Sequence, residues 1–213
     1  MSLISLSAGE LLKSNITKKK VEITLSKLLT FKNPKNYLEQ YPTDPSSASY
    51  LVFQAAIDGN IEGRKILDAG AGTGVLSYSA LMLGAEEVVA VEIDPDQLTV
   101  LRTNLRNYSN CRIEIKNISG VSEKFDTALC NPPFGAVIRD SDLPFLDTIF
   151  NNCRNIYLLH NYRNRDFIMD YVKKRGKVLR EERIRLTIPR MYSHHTKNYE
   201  KLDCILIWAE SSS

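Results

Sequence analysis

Asp68-Ala69-Gly70-Ala71-Gly72-Thr73-Gly74 follows the short apolar run Lys65-Ile66-Leu67, and this stretch decides the fold. A buried strand over Lys65–Asp68 that ends in a glycine loop and opens a helix over Gly74–Leu83 is the first unit of an open α/β sheet. Glycines let the backbone turn sharply and let a ligand come close to it. Downstream the alternation continues. Strands are predicted at Glu87–Glu92, Arg112–Lys116, Asp126–Cys130 and Asn155–His160, and helices at Pro95–Tyr108, Ser141–Asn151 and Asn164–Arg175. Val178–Ile188 and Leu202–Ala209 follow with no helix between them, which predicts an antiparallel edge pair.

The expected fold is therefore α/β: a Rossmann-like, doubly wound, seven-stranded, mostly parallel sheet with an antiparallel edge strand. Upstream, Val21, Leu25, Leu28 and Leu29 recur at helical spacing between Lys18 and Phe31, and Pro34 closes that helix. Leu38-Glu39-Gln40-Tyr41-Pro42-Thr43 reads as irregular, and a further helix runs from Ser46 to Asp58. Residues 1–45 form an N-terminal helical extension, and residues 46–213 form the main domain. At 213 residues the chain can bury one sizeable core.

No apolar run reaches the roughly 18 residues needed to cross a bilayer. The first twelve residues lack the basic start and apolar core of a signal peptide, so the expected location is the cytoplasm. Cys111, Cys130, Cys153 and Cys204 form no CxxC pair, so they read as reduced thiols on strands and no metal site is expected. Charge is uneven. Residues 1–36 carry seven Lys against two Glu, and residues 154–201 carry thirteen Lys or Arg against five acids. Between them, residues 37–153 carry eight Lys or Arg against sixteen acids. An acidic middle flanked by basic ends suits a polyanionic partner gripped from both sides.

Two details turn the glycine loop away from a dinucleotide. The spacing is GxGxG rather than GxGxxG, and Asp68 places a negative charge beside Gly70, Gly72 and Thr73. A cationic sulfonium fits that charge better than a pyrophosphate, which points to S-adenosylmethionine. Glu92 ends the second strand, where a carboxylate can accept both ribose hydroxyls, while Asp94 is placed to cap the helix at Pro95. Asn117 is placed to reach the adenine amine, with Ile118 beside the ring.

Some sixty residues beyond the loop, Asn131-Pro132-Pro133-Phe134 closes the fourth strand. Two prolines fix the backbone and remove two N–H donors, leaving carbonyls for a substrate. The Asn131 side-chain oxygen and the Pro132 carbonyl can each accept one hydrogen of an exocyclic NH2. Phe134 is expected to stack on the base, worth roughly 1–3 kcal/mol. Positioning then carries most of the catalysis.

These motifs resemble the class I S-adenosylmethionine-dependent methyltransferases that carry an Asn-Pro-Pro-aromatic signature. Leu38–Thr43, Gly74-Val75-Leu76-Ser77, Leu83-Gly84-Ala85 and Asn131–Gly135 are together similar to the methyltransferase-like-5 family, over about Lys18 to Trp208. That family makes N6-methyladenosine in small-subunit ribosomal RNA. The resemblance implies that residues 1–45 cap the cofactor, with Gln40 and Thr43 closing over it alongside Gly70, Thr73, Glu92, Asn117 and Ile118. It also implies a small zinc-binding activator protein paired with the sheet edge. Asp is common in the family where Glu92 and Asn117 stand, and both replacements keep hydrogen-bonding ability. The segment Arg183–His195 is also family-like, with Arg and Lys for phosphates and Tyr192 for stacking. His194-His195 reads as an exposed loop or an RNA contact rather than metal ligation, and His160 as structural.

Other acceptors share the signature: guanine N2, DNA adenine and a protein glutamine. The charge pattern favours nucleic acid over glutamine, and no target-recognition domain of a DNA enzyme is present. A non-catalytic RNA-binding assembly factor is the remaining alternative, and it would need neither the intact glycine loop nor the intact Asn131–Phe134.

Overall fold

A computed structural model describes residues 16–189 and 199–213 of the chain. Arg190, Tyr192, His194, His195 and Lys197 lie outside the described residues, as does nearly all of segment 1–17. Two helices come first, α1 (Lys18–Leu25) and α2 (Pro45–Ile57). The alternating body follows: β1 (Lys65–Ala69), α3 (Val75–Met82), β2 (Glu87–Glu92), α4 (Leu98–Leu105), β3 (Cys111–Ile115), β4 (Phe125–Cys130), α5 (Leu143–Asn152), β5 (Cys153–Asn161) and α6 (Arg165–Arg175). The antiparallel strands β6 (Gly176–Pro189) and β7 (Tyr199–Ser211) complete a seven-stranded sheet of order β3-β2-β1-β4-β5-β7-β6.

The expected sheet is present, and its register places the site. Ala69 at the end of β1 pairs with Val91 of β2 on one side and Cys130 at the end of β4 on the other. Gly70, Glu92 and Asn131 therefore leave three neighbouring strands at one level, where the strand order reverses. Ligands of open α/β sheets bind at that switch point. The strands are buried on both faces, so β1 and β2 read as continuous apolar runs rather than alternating ones. Val21 and Leu25 of α1 are fully or almost fully buried in the same core as α2, α3 and β2.

The first helix ends six residues earlier than its periodicity predicts. Thr17 caps it through Lys20 N, and the chain leaves it after Leu25. Beyond that point distant side chains take the backbone groups. Asn104 Oδ1 accepts from Leu29 N at 2.9 Å, and its amide donates to the carbonyls of Leu29 and Thr73. Gln97 accepts from Lys32 N and donates to Lys32 O. Residues 26–44 thus run as a strap tied across the glycine loop. The helix predicted from Pro95 is a 3-10 turn (Pro95–Gln97) continued by α4, with Asp94 capping it through Asp96 N.

All four cysteines lie on strands; Cys130, Cys153 and Cys204 are buried and Cys111 is half-buried. Among the described residues no helix is long and apolar enough to cross a membrane.

Cys204 of β7 pairs with Asn161, the last residue of β5, and with Ile184 of β6. Five further pairs, from Arg185–Asp203 to Pro189–Tyr199, continue past the end of β5. At about 3.4 Å per residue this two-stranded arm reaches about 17 Å beyond the sheet, at the end where the glycine loop lies.

Candidate active site

A cavity of about 230 Å³ opens at the switch point, walled by the glycine loop, the strap and the segment after β4. Gly70, Gly72, Thr73, Glu92, Asn117, Ile118, Gln40, Thr43, Asn131 and Pro133 all line it. Asp68, Pro132 and Phe134 do not.

Gly70 and Gly72 have φ of 79° and 55°, a region that side chains strain to adopt. They are also close-packed. A Cβ on Gly70 would lie 2.9 Å from the Phe145 ring, and one on Gly72 2.7 Å from the Phe31 ring. Glu92 is buried, and burial raises its carboxyl pKa. One of its oxygens accepts from Gly72 N and the other from Asp94 N, each at 2.9 Å. A carboxylate has about four acceptor positions, and with the N–H of Ile93 also directed at it, capacity remains for a ribose hydroxyl. Asn117 is exposed at the cavity wall and its Oδ1 accepts from Ser119 N, closing the turn that carries Ile118. The site therefore fits an adenosine-like cofactor: a carboxylate with spare lone pairs, a close-packed glycine loop and the apolar Ile118.

Asp68 has a different place from the one expected. Its Oδ2 accepts from both Ser77 N (2.9 Å) and Ser77 Oγ (2.6 Å), tying β1 to α3 behind the glycine loop. The side chain is wholly buried, and burial pushes its pKa up to about 6 against the Ser77 bonds. Its Oδ1 has no partner. The contact with the cavity is therefore indirect, through the loop it anchors. Because the folded pKa is raised, the contribution of this group to stability is full below pH 3.8 and is lost as pH rises through 6. The loss from this group is on the order of 2–3 kcal/mol. Asp68→Asn is expected to remove that loss, which denaturant melts of both proteins at pH 4 and pH 7 measure.

The strap supplies the other wall. Gln40 accepts from Lys35 N and donates to Asp94 Oδ2, both at 2.8 Å. Lys35 Nζ meets Asp94 Oδ1 at 2.5 Å. Burial alone would raise Asp94, but the Lys35 ammonium, the Gln40 and Gln97 amides and Asp96 N bring it down to about 2. Gln40→Ala leaves Lys35 N and Asp94 each short of a partner. It is expected to weaken cofactor binding about tenfold, as one lost bond to a charged group costs roughly 1.5–3 kcal/mol; titration calorimetry reads the change.

Asn131 comes from the end of β4. Its Nδ2 donates to Thr43 Oγ1 at 2.8 Å, while its Oδ1 is buried without a partner. Ser141 Oγ, on the same cavity wall, is a second buried polar atom without a partner. Nothing in the sequence singled out Ser141, or Glu39. The Glu39 carboxylate accepts from Phe134 N at 2.8 Å and Val137 N at 2.9 Å, holding the loop after β4. Glu39 itself has φ of 50°, a left-handed backbone that turns its side chain back onto that loop.

Phe134 is not an open stacking face. It is 4% exposed, with the Tyr41 ring at 5.5 Å and the His160 ring at 5.0 Å. Glu39 holds its N–H and Asn164 Nδ2 donates to its carbonyl, so the ring turns into the core. His160 is fully buried, with Nε2 3.1 Å from Asp142 Oδ2.

Residues 51–138 match the family model of ribosomal protein L11 methyltransferase (PrmA). Over much more of its length the chain is similar to the rRNA N(6)-adenosine-methyltransferase METTL5 of Danio rerio, 32% identical over 84% of this chain and 91% of that protein. The corresponding enzyme of Drosophila melanogaster is 31% identical over 87% of this chain and 92% of its own. The solved structure of a candidate RNA methyltransferase from Pyrococcus horikoshii superposes with a TM-score of 0.87 at 36% identity, covering 92% of this chain and 98% of the other. With the glycine loop, the buried Glu92 and the Asn131 oxygen on one cavity, the chain belongs to the METTL5 family of S-adenosylmethionine-dependent N-methyltransferases.

Proposed function

We propose that the protein methylates the N6 amine of an unpaired adenosine in small-subunit ribosomal RNA, in the cytoplasm. One observation carries the reading: Asn131, whose buried Oδ1 has no partner, lines the same cavity as the glycine loop. A lone acceptor at that position suits an N–H donor, and an aromatic amine is such a donor. Gly70, Gly72, Thr73, Glu92, Asn117 and Ile118 would hold the cofactor, under a cap formed by Gln40, Thr43 and the rest of the strap. S-adenosylmethionine, when bound, supplies an electrophilic methyl group. Asn131 Oδ1 would accept one amine hydrogen, leaving the nitrogen lone pair free to attack the methyl group; Pro132, which does not line the cavity, is the less direct acceptor of the two the motif offers. The amine becomes acidic as its new bond forms and loses a proton to water. Pro133, Ile138 and Tyr41 give the base apolar walls.

The β6–β7 arm supports an RNA substrate. It projects at the cavity end and carries the exposed Arg185, which shares Asp203 with Arg183 just inside the sheet, at 3.3 and 2.6 Å respectively. Asp44, next to Thr43, accepts from Thr187 N and ties the arm to the strap. Flipping a paired base would cost a few kcal/mol, which favours an unpaired adenosine. Replacing Arg183, Arg185, Arg190 and Lys197 together is expected to weaken RNA binding and to lower the slope of log affinity against log salt by about one per lost phosphate contact. A small zinc-binding protein paired with a sheet edge is the proposed activator.

The test is methyl transfer from labelled S-adenosylmethionine to isolated small ribosomal subunits and to their bare RNA. Label in N6-methyladenosine supports the reading. Label in N2-methylguanosine or in protein replaces it with another amino acceptor.

A further inference from the structure

Resting on the reading of an RNA adenosine as the methyl acceptor, we propose that Val137 and Ile138 form an apolar wedge that packs against the bases flanking the target adenosine. Both sit on the loop that follows Phe134, and Ile138 also lines the cavity. Val137 is 48% exposed and Ile138 49%. Neither belongs to a hydrophobic core, so the fold gains little from two aliphatic side chains at this place. Adjacent exposed aliphatics at the rim of a site mark an interaction surface.

The wedge is held before any partner arrives. Glu39 accepts from Val137 N at 2.9 Å, and Ile138 O accepts from Ser141 N at 3.3 Å. Gly135 (φ 73°) and Asp140 (φ 60°) turn the chain at the two ends of the tip. A fixed backbone spares the ordering cost that a loose loop meets on binding. The occupant follows from the position. A base in the cavity lies against Ile138, and its neighbours are tied to it by one phosphodiester each, so they lie at this rim. An adenosine lifted out of a strand leaves those neighbours with an uncovered face. Base faces are apolar whatever the sequence, and aliphatic side chains serve as wedges between them. Arg139 stands next to the pair with its side chain 94% exposed, 3.6 Å from the exposed Asp140. A cation there suits the flanking phosphates of a nucleic acid better than the apolar patch of a protein.

The test uses two short synthetic single-stranded RNAs. One carries a single adenosine between two guanosines, and the other has abasic positions in place of those guanosines. Fluorescence anisotropy with the full chain gives the dissociation constants. The wild type is expected to bind the first RNA about 10- to 30-fold more tightly, from burying the half of each side chain still in water. Val137→Ser combined with Ile138→Ser should bind both RNAs alike, near the wild-type value for the abasic one. Val137→Ser alone, outside the cavity lining, should lose part of the preference. The S-adenosylmethionine dissociation constant of each variant should match the wild type. If the serine pair destabilises the fold, Val137→Thr with Ile138→Thr keeps a branched shape and carries the same comparison.

A serine pair that keeps the wild-type preference would overturn the proposal, as would one that loses affinity for both RNAs by the same factor. So would a wild type indifferent to the abasic change. A serine pair that binds RNA normally and loses self-association in sedimentation would assign the wedge to a protein contact and overturn the proposal as well. Failure of the underlying reading is separate: the wild type would then place no label in N6-methyladenosine of small-subunit rRNA.

Discussion

Asn131→Ala is expected to lower methyl transfer by roughly 10²-fold or more while the affinity for S-adenosylmethionine changes little. Asn131 lies at the end of β4, and Glu92 and Gly72, the cofactor-side pair, bond to each other without it. The substitution removes the one buried, unpartnered oxygen that β4 brings to the cavity. Alanine leaves the loop backbone in place, because Glu39 still holds Phe134 N and Val137 N. Single-turnover rates and equilibrium titration separate the two effects. A mutant that turns over at the wild-type rate would remove Asn131 from the chemistry.

Phe134→Ala is expected to destabilise the protein by about 3–5 kcal/mol, the usual cost of emptying a buried aromatic site. The ring is 4% exposed and sits against Tyr41 and His160, so its loss opens a cavity beneath the strap. Phe134→Leu should recover much of that stability and of the turnover, since leucine refills most of the volume. Denaturant melts and RNA affinity measured on both variants separate packing from stacking. Unchanged stability with RNA binding lost in both variants would mean that the ring faces the base.

The positions of Gly70, Glu92 and Asn131 were legible because each follows directly from a strand boundary. Short apolar runs of similar length, each ending at a polar or glycine signal, bring their ends to one level in a parallel sheet. The alternation of strand and helix, and the unconnected last two strands, gave the topology for the same reason. What was not legible depends on contacts between distant residues. The predicted helix from Lys18 stops at Leu25, and Asn104 and Gln97 take the backbone groups of Leu29 and Lys32 from 75 and 65 positions away. Phe134 turns inward because Glu39 holds its N–H across 95 positions. Asp68 reads as a charge facing the ligand until Ser77 is seen to occupy its carboxylate. Local pattern locates strand ends well, but it does not say which way a side chain at a strand end turns.

This cavity is proposed to methylate an adenosine N6 amine of small-subunit ribosomal RNA. Nucleoside analysis of small-subunit rRNA from cells with the intact gene, without it, and with Asn131→Ala tests it most directly. The expected result is one N6-methyladenosine site present with the intact gene and absent in the other two. An unchanged N6-methyladenosine content in all three, with a methylated guanosine or a methylated protein lost instead, would contradict it.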